Sequence, residues 1–258
     1  MRCSVIIPYF NEISLIDRAV SSIFNQIEKD FNFEIIIVND GFSENNIIKS
    51  ALFKHDLSKI FIIKTLNIKG PGAARNLGIE RATGDLLAFL DADDYWLPDK
   101  IKSQLQLIKS GASFVATGYQ FDGSSTKVFP PNMICKPIDI FLKRGIGTST
   151  VLITRDLLKN NRFRNIRYCQ DIDFWFALAS QKNFRYRCVP VNLVCYSTGG
   201  STKNKFRQLI YFNRVLLLNK VGFFNYFLVI SSYIFHGLKN HFLKKYLHKF
   251  LGSGCKKI

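Results

Sequence analysis

Short apolar runs alternate with segments of helical period through the first part of the chain. The apolar runs cover residues 5–8, 34–38, 60–63 and 86–90, and each is nearly continuous. Runs of this kind are typical of parallel strands that are covered on both faces. Between the first two runs, one helical stripe carries Ile16, Ala19, Val20, Ile23, Phe24 and Ile27. The pattern predicts a doubly wound α/β fold with a mostly parallel central sheet flanked by helices.

The alternation loosens beyond about residue 110. Apolar stretches at 114–116 and 150–154 flank a region that contains Gly, Ser and Pro at 118–137. A length of 258 residues is within the range of one large domain or two small ones. We expect one globular body with an appendage at its C-terminal end.

Charge is distributed unevenly, and this defines the appendage. The net charge is +17; residues 1–173 hold 22 basic and 19 acidic side chains, whereas residues 174–258 hold 14 basic and no acidic ones. A basic tail of this kind attracts phosphate, on nucleic acid or on an anionic membrane surface. Residues 241–251 place apolar side chains on one helical face and basic ones on the other, which is typical of a helix lying in a membrane interface.

The stretch 215–235 is more apolar, but Asn219, Lys220 and Asn225 interrupt it. We therefore expect shallow insertion into a membrane, with packing on the protein's own body and a full span as the alternatives. The six cysteines show no Cys-x-x-Cys pair and the N-terminus no signal-peptide pattern, so we expect reduced thiols and a cytoplasmic body. For the four histidines we expect solvated surface positions.

Polar clusters follow the predicted strands at 8–12, 39–43 and 91–94, and a fourth lies at 70–76. In doubly wound sheets, ligands bind beyond the carboxyl ends of the strands. The clusters are therefore candidates for one shared site.

The acidic cluster Asp91-Ala92-Asp93 is the most informative of these. In an extended tripeptide the two carboxylates point to the same side. Such oxygens suit Mg²⁺ or Mn²⁺, which bind through one or two carboxylates together with the phosphates of a substrate. The alternative is a helix N-cap with further acids in the first turn.

Two other clusters have both a functional and a structural interpretation. In Asn39-Asp40-Gly41, the carboxylate of Asp40 can accept a hydrogen bond from a nucleobase, but the three residues also suit a simple β-turn. In 70–78, small residues run into a helix with Arg75 one turn inside, which favours an anion at the helix start. A plain capped helix is the alternative.

A last acidic pair, Asp171 and Asp173, precedes the apolar segment 174–179. An aspartate beside apolar aromatic side chains can have a raised pKa and act as a general base, which we assign to Asp171. The alternative makes both acids helix caps, and for Asp173 we prefer it.

Taken together and in this order, the clusters resemble the inverting glycosyltransferases of family 2. The resemblance covers about residues 4–175 and is most specific at 5–12, 72–78 and 84–94. It implies a GT-A fold and a nucleotide-activated sugar as donor. It also implies a nucleotide-sugar-binding half at 1–110 and an acceptor-binding half with the catalytic base at 111–204, followed by the basic tail at 205–258.

The resemblance assigns roles to individual residues on the donor side. It implies that Pro8, Tyr9 and Glu12 border the nucleoside, that Asp40 meets the base and that Arg75 lies near the donor.

For the chemistry, the resemblance implies that Asp91 contacts ribose or metal, that Asp93 ligates Mn²⁺ or Mg²⁺ directly and that Asp171 is the catalytic base. The chain departs from the family at Asn39, Phe42 and Gln170, where members often have Asp, Ser and Glu. We assign no late metal ligand near Tyr196.

The implied function is transfer of a sugar, from a UDP-sugar by default, to a hydroxyl of a saccharide acceptor. We expect the acceptor to be lipid-linked and the protein to be peripheral on the inner face of a bacterial cytoplasmic membrane, in surface polysaccharide synthesis. One alternative is a sugar-phosphate nucleotidyltransferase, although 8–12 is not the glycine-rich basic loop expected there. The other is a non-enzymatic nucleic-acid binder; we expect no nucleic acid as partner, because that function leaves the acidic strand end unexplained.

Overall fold

The computed structural model of the protein describes residues 1–26, 31–41, 43–65, 70–143, 145–198 and 205–233. The chain divides into two compact units, residues 1–211 and residues 212–258. The site residues assigned above all belong to the first unit.

Strands and helices alternate at first and then give way to a run of strands. The strands are β1 (Arg2–Tyr9), β2 (Asn32–Asn39), β3 (Ile60–Lys64), β4 (Leu86–Phe89), β5 (Tyr95–Trp96), β6 (Phe114–Phe121), β7 (Lys127–Val128), β8 (Val151–Thr154) and β9 (Tyr186–Tyr196). The helices are α1 (Ile13–Phe24), α2 (Asn45–Ala51), α3 (Pro71–Arg81), α4 (Lys100–Lys109), α5 (Asp139–Leu142), α6 (Arg155–Leu158), α7 (Gln170–Ala179) and α8 (Lys205–Leu218). Short 3-10 turns occupy Leu57–Lys59 and Thr148–Thr150.

The strands form one sheet in the order β3-β2-β1-β4-β8-β6-β9-β5, with β7 beside β6. Strands β1 to β4, here called the parallel half, all run in the same direction. Strands β5 to β9, together with the helices and turns between β7 and β9, are here called the mixed half. They include antiparallel partners at β4–β8, β6–β8, β6–β7 and β5–β9 and one parallel pair, β6–β9. The predicted parallel arrangement is thus confirmed for the first half and becomes mixed beyond residue 110, where the helical crossovers that parallel pairs require are fewer.

Both faces of the parallel half are covered, as its continuous apolar runs predict. Alternate residues of β1 enter different cores: Val5 and Ile7 join the core that includes the apolar stripe of α1, and Ile6 joins the core under α3 and α7. A side chain at Gly78 of α3 would overlap the Cγ2 of Ile6, so glycine lets α3 approach β1 closely.

The histidine expectation is wrong for His55. Its side chain is 9% exposed, stacks on Phe24 at a ring distance of 4.9 Å and bonds Asp17 Oδ1 through Nε2 at 3.0 Å. Apolar packing of the ring on α1 explains why it is not solvated. The other histidines, at 236, 241 and 248, lie outside the described residues. The described cysteines are all free thiols.

The second unit is described over residues 212–233. It contains the end of α8 and a helical segment at 223–233, joined by a hydrogen bond from the Tyr226 hydroxyl to Asn213 Oδ1 (2.6 Å) and by contact of the Phe212 and Tyr233 rings at 4.8 Å. Its large exposed apolar side chains are Leu217, Leu218, Phe223, Phe224, Phe227 and Leu228.

In the part of the chain that the structure describes, no helix combines the length and the apolar character needed to cross a membrane. The interfacial helix predicted at 241–251 lies outside the described residues.

Candidate active site

Strands β1 and β2 end side by side and bring the first two clusters together. The Asp40 backbone N–H donates to the Tyr9 carbonyl (3.0 Å), and one Asp40 carboxylate oxygen accepts from the Thr65 hydroxyl (3.1 Å). Asp40 is half-buried, so its other oxygen can face a ligand. The pairing of parallel strands is what places Asp40 next to Tyr9.

Asn39 closes the loop that carries Asp40. Its side-chain amide donates to the Ser43 carbonyl (2.8 Å) and to Asn45 Oδ1 (2.9 Å), while its own Oδ1 accepts from Gly41 N–H (3.1 Å). An ionised aspartate could not donate either of the first two bonds. The departure from the family at Asn39 therefore has a local structural use; Phe42 lies outside the described residues.

The turn between β1 and α1 orients the other donor-side candidates. Pro8 is half-buried, and the buried Tyr9 donates its hydroxyl to Ser43 Oγ (3.3 Å). Glu12, just before α1, accepts from Phe10 N–H (2.6 Å) and adds its negative charge to the surroundings of Asp93.

Residues 91–94 form a turn at the end of β4, closed by Asp94 N–H donating to the Asp91 carbonyl (3.0 Å). The extended tripeptide expected from the sequence is thus wrong, because the chain must turn to enter β5. Asp91 and Asp93 are half-buried and Asp94 is buried. Arg75 contacts Asp91 through a guanidinium nitrogen at 2.5 Å.

Three carboxyl groups, those of Asp91, Asp93 and Asp94, lie close together at this turn, so negative charge is in excess there. Burial, and next the charge of Asp91, raises the pKa of Asp93. Burial, and again Asp91, raises the pKa of Asp94 well above its ordinary value. A bound cation would relieve this repulsion.

The donor set fits a divalent ion that also binds phosphate. The described residues contain no group of three or more His, Cys, Asp or Glu side chains able to hold a metal by themselves. Mg²⁺ and Mn²⁺ need only one or two carboxylates when substrate phosphates complete the shell. Asp93 and the remaining oxygen of Asp91 could supply those carboxylates.

Arg75 links the acidic turn to the second half of the site. It is buried on α3, its guanidinium lies 5.5 Å from the centre of the Phe163 ring, and its Nε has no hydrogen-bond partner among the described residues. Asn76 fixes Phe163 by two reciprocal bonds, Nδ2 to the Phe163 carbonyl (2.8 Å) and Phe163 N–H to Oδ1 (2.9 Å).

Asp171 is the second residue of α7 and is half-buried. Burial raises its pKa, while the N–H of Ile172 and the charge of Arg75 pull the pKa down. The charge of Asp171 in turn adds to the burial that raises the pKa of Tyr119, which places Tyr119 close by. A carboxylate with a raised pKa at a helix start is suited to accept a proton.

The cap expected at Asp173 is wrong. Helix α7 begins at Gln170 with Cys169 as its N-cap residue, earlier than the apolar segment indicates, so Asp173 lies within the first turn. It is buried and accepts from Arg164 NH1 (2.9 Å).

The structure thus brings Asp91 within electrostatic reach of both Asp93 and Asp171, with Arg75 reaching Asp171 and Glu12 reaching Asp93. Tyr9 and Asp40 share the same sheet edge, without a hydrogen bond to this group among the described residues. Sequence reasoning missed Arg18, whose NH2 donates to the Asp93 carbonyl (2.8 Å), and Ser149, whose hydroxyl bonds Asp91 and Asp94. Neither lies in a pattern that marks function.

Two solved structures share this architecture. The S. aureus TarS 1–349 structure aligns with a TM-score of 0.67 at 17% identity, over 91% of this chain and 71% of that one. The mannosyltransferase PcManGT from Pyrobaculum calidifontis, in complex with GDP-Man and Mn²⁺, aligns with a TM-score of 0.66 at 15% identity, over 98% and 76%. The protein has a GT-A-like α/β fold.

The family model for Glycosyl transferase family 2 matches residues 4–173, and the chain belongs to this family. The Escherichia coli UDP-Glc:alpha-D-GlcNAc-diphosphoundecaprenol beta-1,3-glucosyltransferase WfaP is 30% identical over 246 residues, 92% of this chain and 94% of that protein. An uncharacterised glycosyltransferase of Rickettsia conorii is 34% identical over 192 residues, 70% of this chain. The match covers 31% of that relative, so the chain spans about a third of its length. The resemblance seen in the sequence is confirmed.

Proposed function

We propose that the protein transfers a sugar from a UDP-sugar to a hydroxyl of a lipid-linked saccharide, with inversion, in the synthesis of a bacterial surface polysaccharide. Support comes from WfaP and from the Escherichia coli relative WfgD, 28% identical over 80% of this chain, because both are named as UDP-Glc glucosyltransferases that act on GlcNAc-diphosphoundecaprenol. In this proposal residues 1–110 bind the donor and residues 111–204 the acceptor.

The observation that carries the proposal is a half-buried aspartate, Asp171, whose pKa is raised by burial and which lies within electrostatic reach of Arg75 and Asp91. Asp171 takes the proton of the acceptor hydroxyl as the oxygen attacks the anomeric carbon. The bond from that carbon to the diphosphate breaks in the same displacement, so the configuration inverts once and nucleoside diphosphate leaves.

The remaining residues bind and orient the donor. Asp93, with Asp91, would hold Mn²⁺ or Mg²⁺, which when bound neutralises charge on the departing diphosphate. The guanidinium of Arg75, which pairs with Asp91, would add positive charge near the donor diphosphate. Tyr9 and Glu12, with Pro8, border the nucleoside, and the base donates to Asp40.

Donor turnover tests this function directly. Purified protein is incubated with a panel of sugar nucleotides and a prenyl-diphosphate GlcNAc acceptor, with Mn²⁺ or with EDTA, and the released nucleotide is identified. We expect UDP release that requires the metal and is lost in Asp93→Asn. Asp99→Asn, an exposed acid just before α4, is the control and should keep wild-type turnover.

Other products would assign the protein to another class. Release of pyrophosphate from a nucleoside triphosphate and a sugar phosphate indicates a nucleotidyltransferase. Salt-sensitive binding of DNA or RNA, with no release from any sugar nucleotide, indicates a nucleic-acid binder.

We further propose that the protein is cytoplasmic and peripheral on the inner face of the membrane, held there by residues 205–258. Phe223 and Phe224 are 81% and 78% exposed, and the bases Arg214 and Lys220 in the same unit are exposed as well. Aromatic side chains on a surface without acidic residues suit an anionic lipid interface.

Vesicle flotation tests this attachment. Phe223→Asp/Phe224→Asp should release the full-length protein from vesicles of phosphatidylglycerol and phosphatidylethanolamine. Phe53→Asp, an equally exposed phenylalanine (79%) in the first unit, should leave flotation unchanged. Equal flotation of all three proteins would locate the attachment elsewhere.

A further inference from the structure

Ser149 connects the acidic turn to strands β5 and β9. It is fully buried in the 3-10 turn Thr148–Thr150, ahead of β8. Each of its polar atoms has a hydrogen-bond partner, and no partner belongs to its own turn. A buried serine with all its bonding capacity used in this way fixes its neighbours relative to one another.

Two of the bonds reach the acidic turn itself. The Ser149 hydroxyl accepts from the Asp91 backbone N–H (3.2 Å) and donates to Asp94 Oδ2 (2.6 Å). The hydroxyl therefore holds the first and last residues of the turn that has Asp93 in its middle.

The other two bonds hold Ser149. Its N–H donates to the Tyr196 hydroxyl (3.1 Å) at the end of β9, and its carbonyl accepts from Trp96 Nε1 (2.9 Å) in β5. A side chain at Gly147 would overlap the Tyr196 hydroxyl, so this contact is packed as well as bonded.

Asp94 is committed to the same network and is not free to ligate a metal. It is 2% exposed, one oxygen accepts from the Ser149 hydroxyl, and the other accepts from Ser197 N–H (3.0 Å). Of the three acids in the turn, only Asp91 and Asp93 remain half-exposed.

We infer that Ser149, with Asp94 as its partner, is a positioning residue that fixes the backbone of the acidic turn so that the carboxylates of Asp91 and Asp93 can bind one divalent cation. This inference rests on the proposed function, in which those two carboxylates bind the metal. The acids repel one another, so without a fixed backbone the turn would relax to separate them. Groups that orient metal ligands in this way typically contribute about 10- to 100-fold to metal affinity.

The test is Mn²⁺ binding to folded full-length protein, measured by calorimetry with UDP present. We expect Ser149→Ala to weaken Mn²⁺ binding by about tenfold. The Mn²⁺ concentration that gives half-maximal turnover should rise by a similar factor. At saturating Mn²⁺, kcat should return to near the wild-type value, because Asp171 is untouched. Thr150→Val is the matched control: its hydroxyl is equally buried but donates to the Gly147 carbonyl (2.7 Å).

The outcomes separate this inference from the proposed function. If wild-type protein binds no Mn²⁺ in the presence of UDP, the proposed metal site itself is wrong. If wild type binds Mn²⁺ and Ser149→Ala binds it equally well, or Thr150→Val weakens it as much, the positioning role is overturned. Should Ser149→Ala fail to fold, Tyr196→Phe removes only the acceptor of the Ser149 N–H and should weaken Mn²⁺ binding in the same direction by a smaller factor; unchanged binding there would also overturn the role.

Discussion

The two halves of the sheet contribute to the site in different ways. In the parallel half, Tyr9, Asp40 and Asp91 follow from the carboxyl ends of adjacent strands. In the mixed half, Asp171 comes from the start of a helix and Ser149 from a short turn. Strand direction alone accounts for the first group, whereas the second depends on packing between segments distant in sequence.

The parallel half supplies carboxylates that face the ligand, and the mixed half supplies groups that hold those carboxylates in place. The carboxylates of the parallel half are half-exposed and crowded, and the mixed half fixes their backbone through Ser149. Arg75 connects the two sides, since it pairs with Asp91 and lowers the pKa of Asp171. Changes in each half, and at the contact between them, should therefore have distinct effects.

The largest effect should come from the mixed half, at the proposed base. Asp171→Asn should reduce kcat by about 10²- to 10⁴-fold, because an amide cannot accept the acceptor's proton. The dissociation constant for UDP should stay near that of wild type. Steady-state kinetics and calorimetry measure the two quantities, and Asp173→Asn, two residues along the same helix, should keep kcat within a few-fold.

The pH profile gives a second readout of the same residue. Since burial raises the pKa of Asp171, the acid limb of kcat/KM should lie above the pH at which an ordinary aspartate titrates. The folded state holds this proton more tightly than the unfolded chain, so ionisation of Asp171 at higher pH costs stability, and the asparagine variant should not be less stable at pH 7. Wild-type turnover by Asp171→Asn would exclude it as the base.

The sequence predicted the parallel half and its site residues because both follow local rules. Apolar runs mark β1 to β4, and polar residues at their ends mark the ligand edge. The apolar aromatic segment beside Asp171 and the family resemblance both indicated this residue as the base, although it does not follow a strand. Sequence reasoning could not find Ser149 or Arg18, because the hydrogen bonds of both residues reach across at least 47 positions and leave no periodic trace.

A smaller effect is expected where α4 packs against the mixed half. The amine of Lys100 is fully buried, donates to Gln104 Oε1 (2.8 Å) and lies 3.9 Å from the centre of the Trp96 ring. Burial lowers its pKa from 10.5 to about 7. Above about pH 7 the folded state holds a neutral amine while the unfolded chain still binds the proton, so stability rises with pH in this window.

The free energy of unfolding of Lys100→Met should therefore exceed that of the wild type by more at pH 6 than at pH 9. The two gains should differ by on the order of 2 kcal/mol, since one pKa unit corresponds to about 1.4 kcal/mol. Urea unfolding at the two pH values measures this difference, with Lys102→Met, an exposed lysine on the same helix, as the control. An equal gain at pH 6 and pH 9 would show that the buried amine does not titrate as described.

The smallest effect tests the contact between the halves, where α3 meets α7. A methyl group at Gly72 would overlap Oε1 of Gln170, the residue before Asp171, and would approach the Cβ of Phe163 to 3.3 Å. Gln170 is buried, so the end of its side chain would have to shift within the packed region beside the first residues of α7. Gly72→Ala should therefore lower kcat by about tenfold through misplacement of the base, while Mn²⁺ binding is retained.

A double substitution distinguishes this mechanism from general damage. Gln170→Ala removes the overlapping atoms. Gly72→Ala should therefore lower kcat much less in the Gln170→Ala background than in the wild-type background. Gly222→Ala, with open space around the added methyl group, should have no effect. If the double variant stays as slow as Gly72→Ala, the base is not positioned through this contact. The two halves would then communicate through other links that join the acidic turn to the mixed half, among them those of Arg75, Ser149 and Asp94.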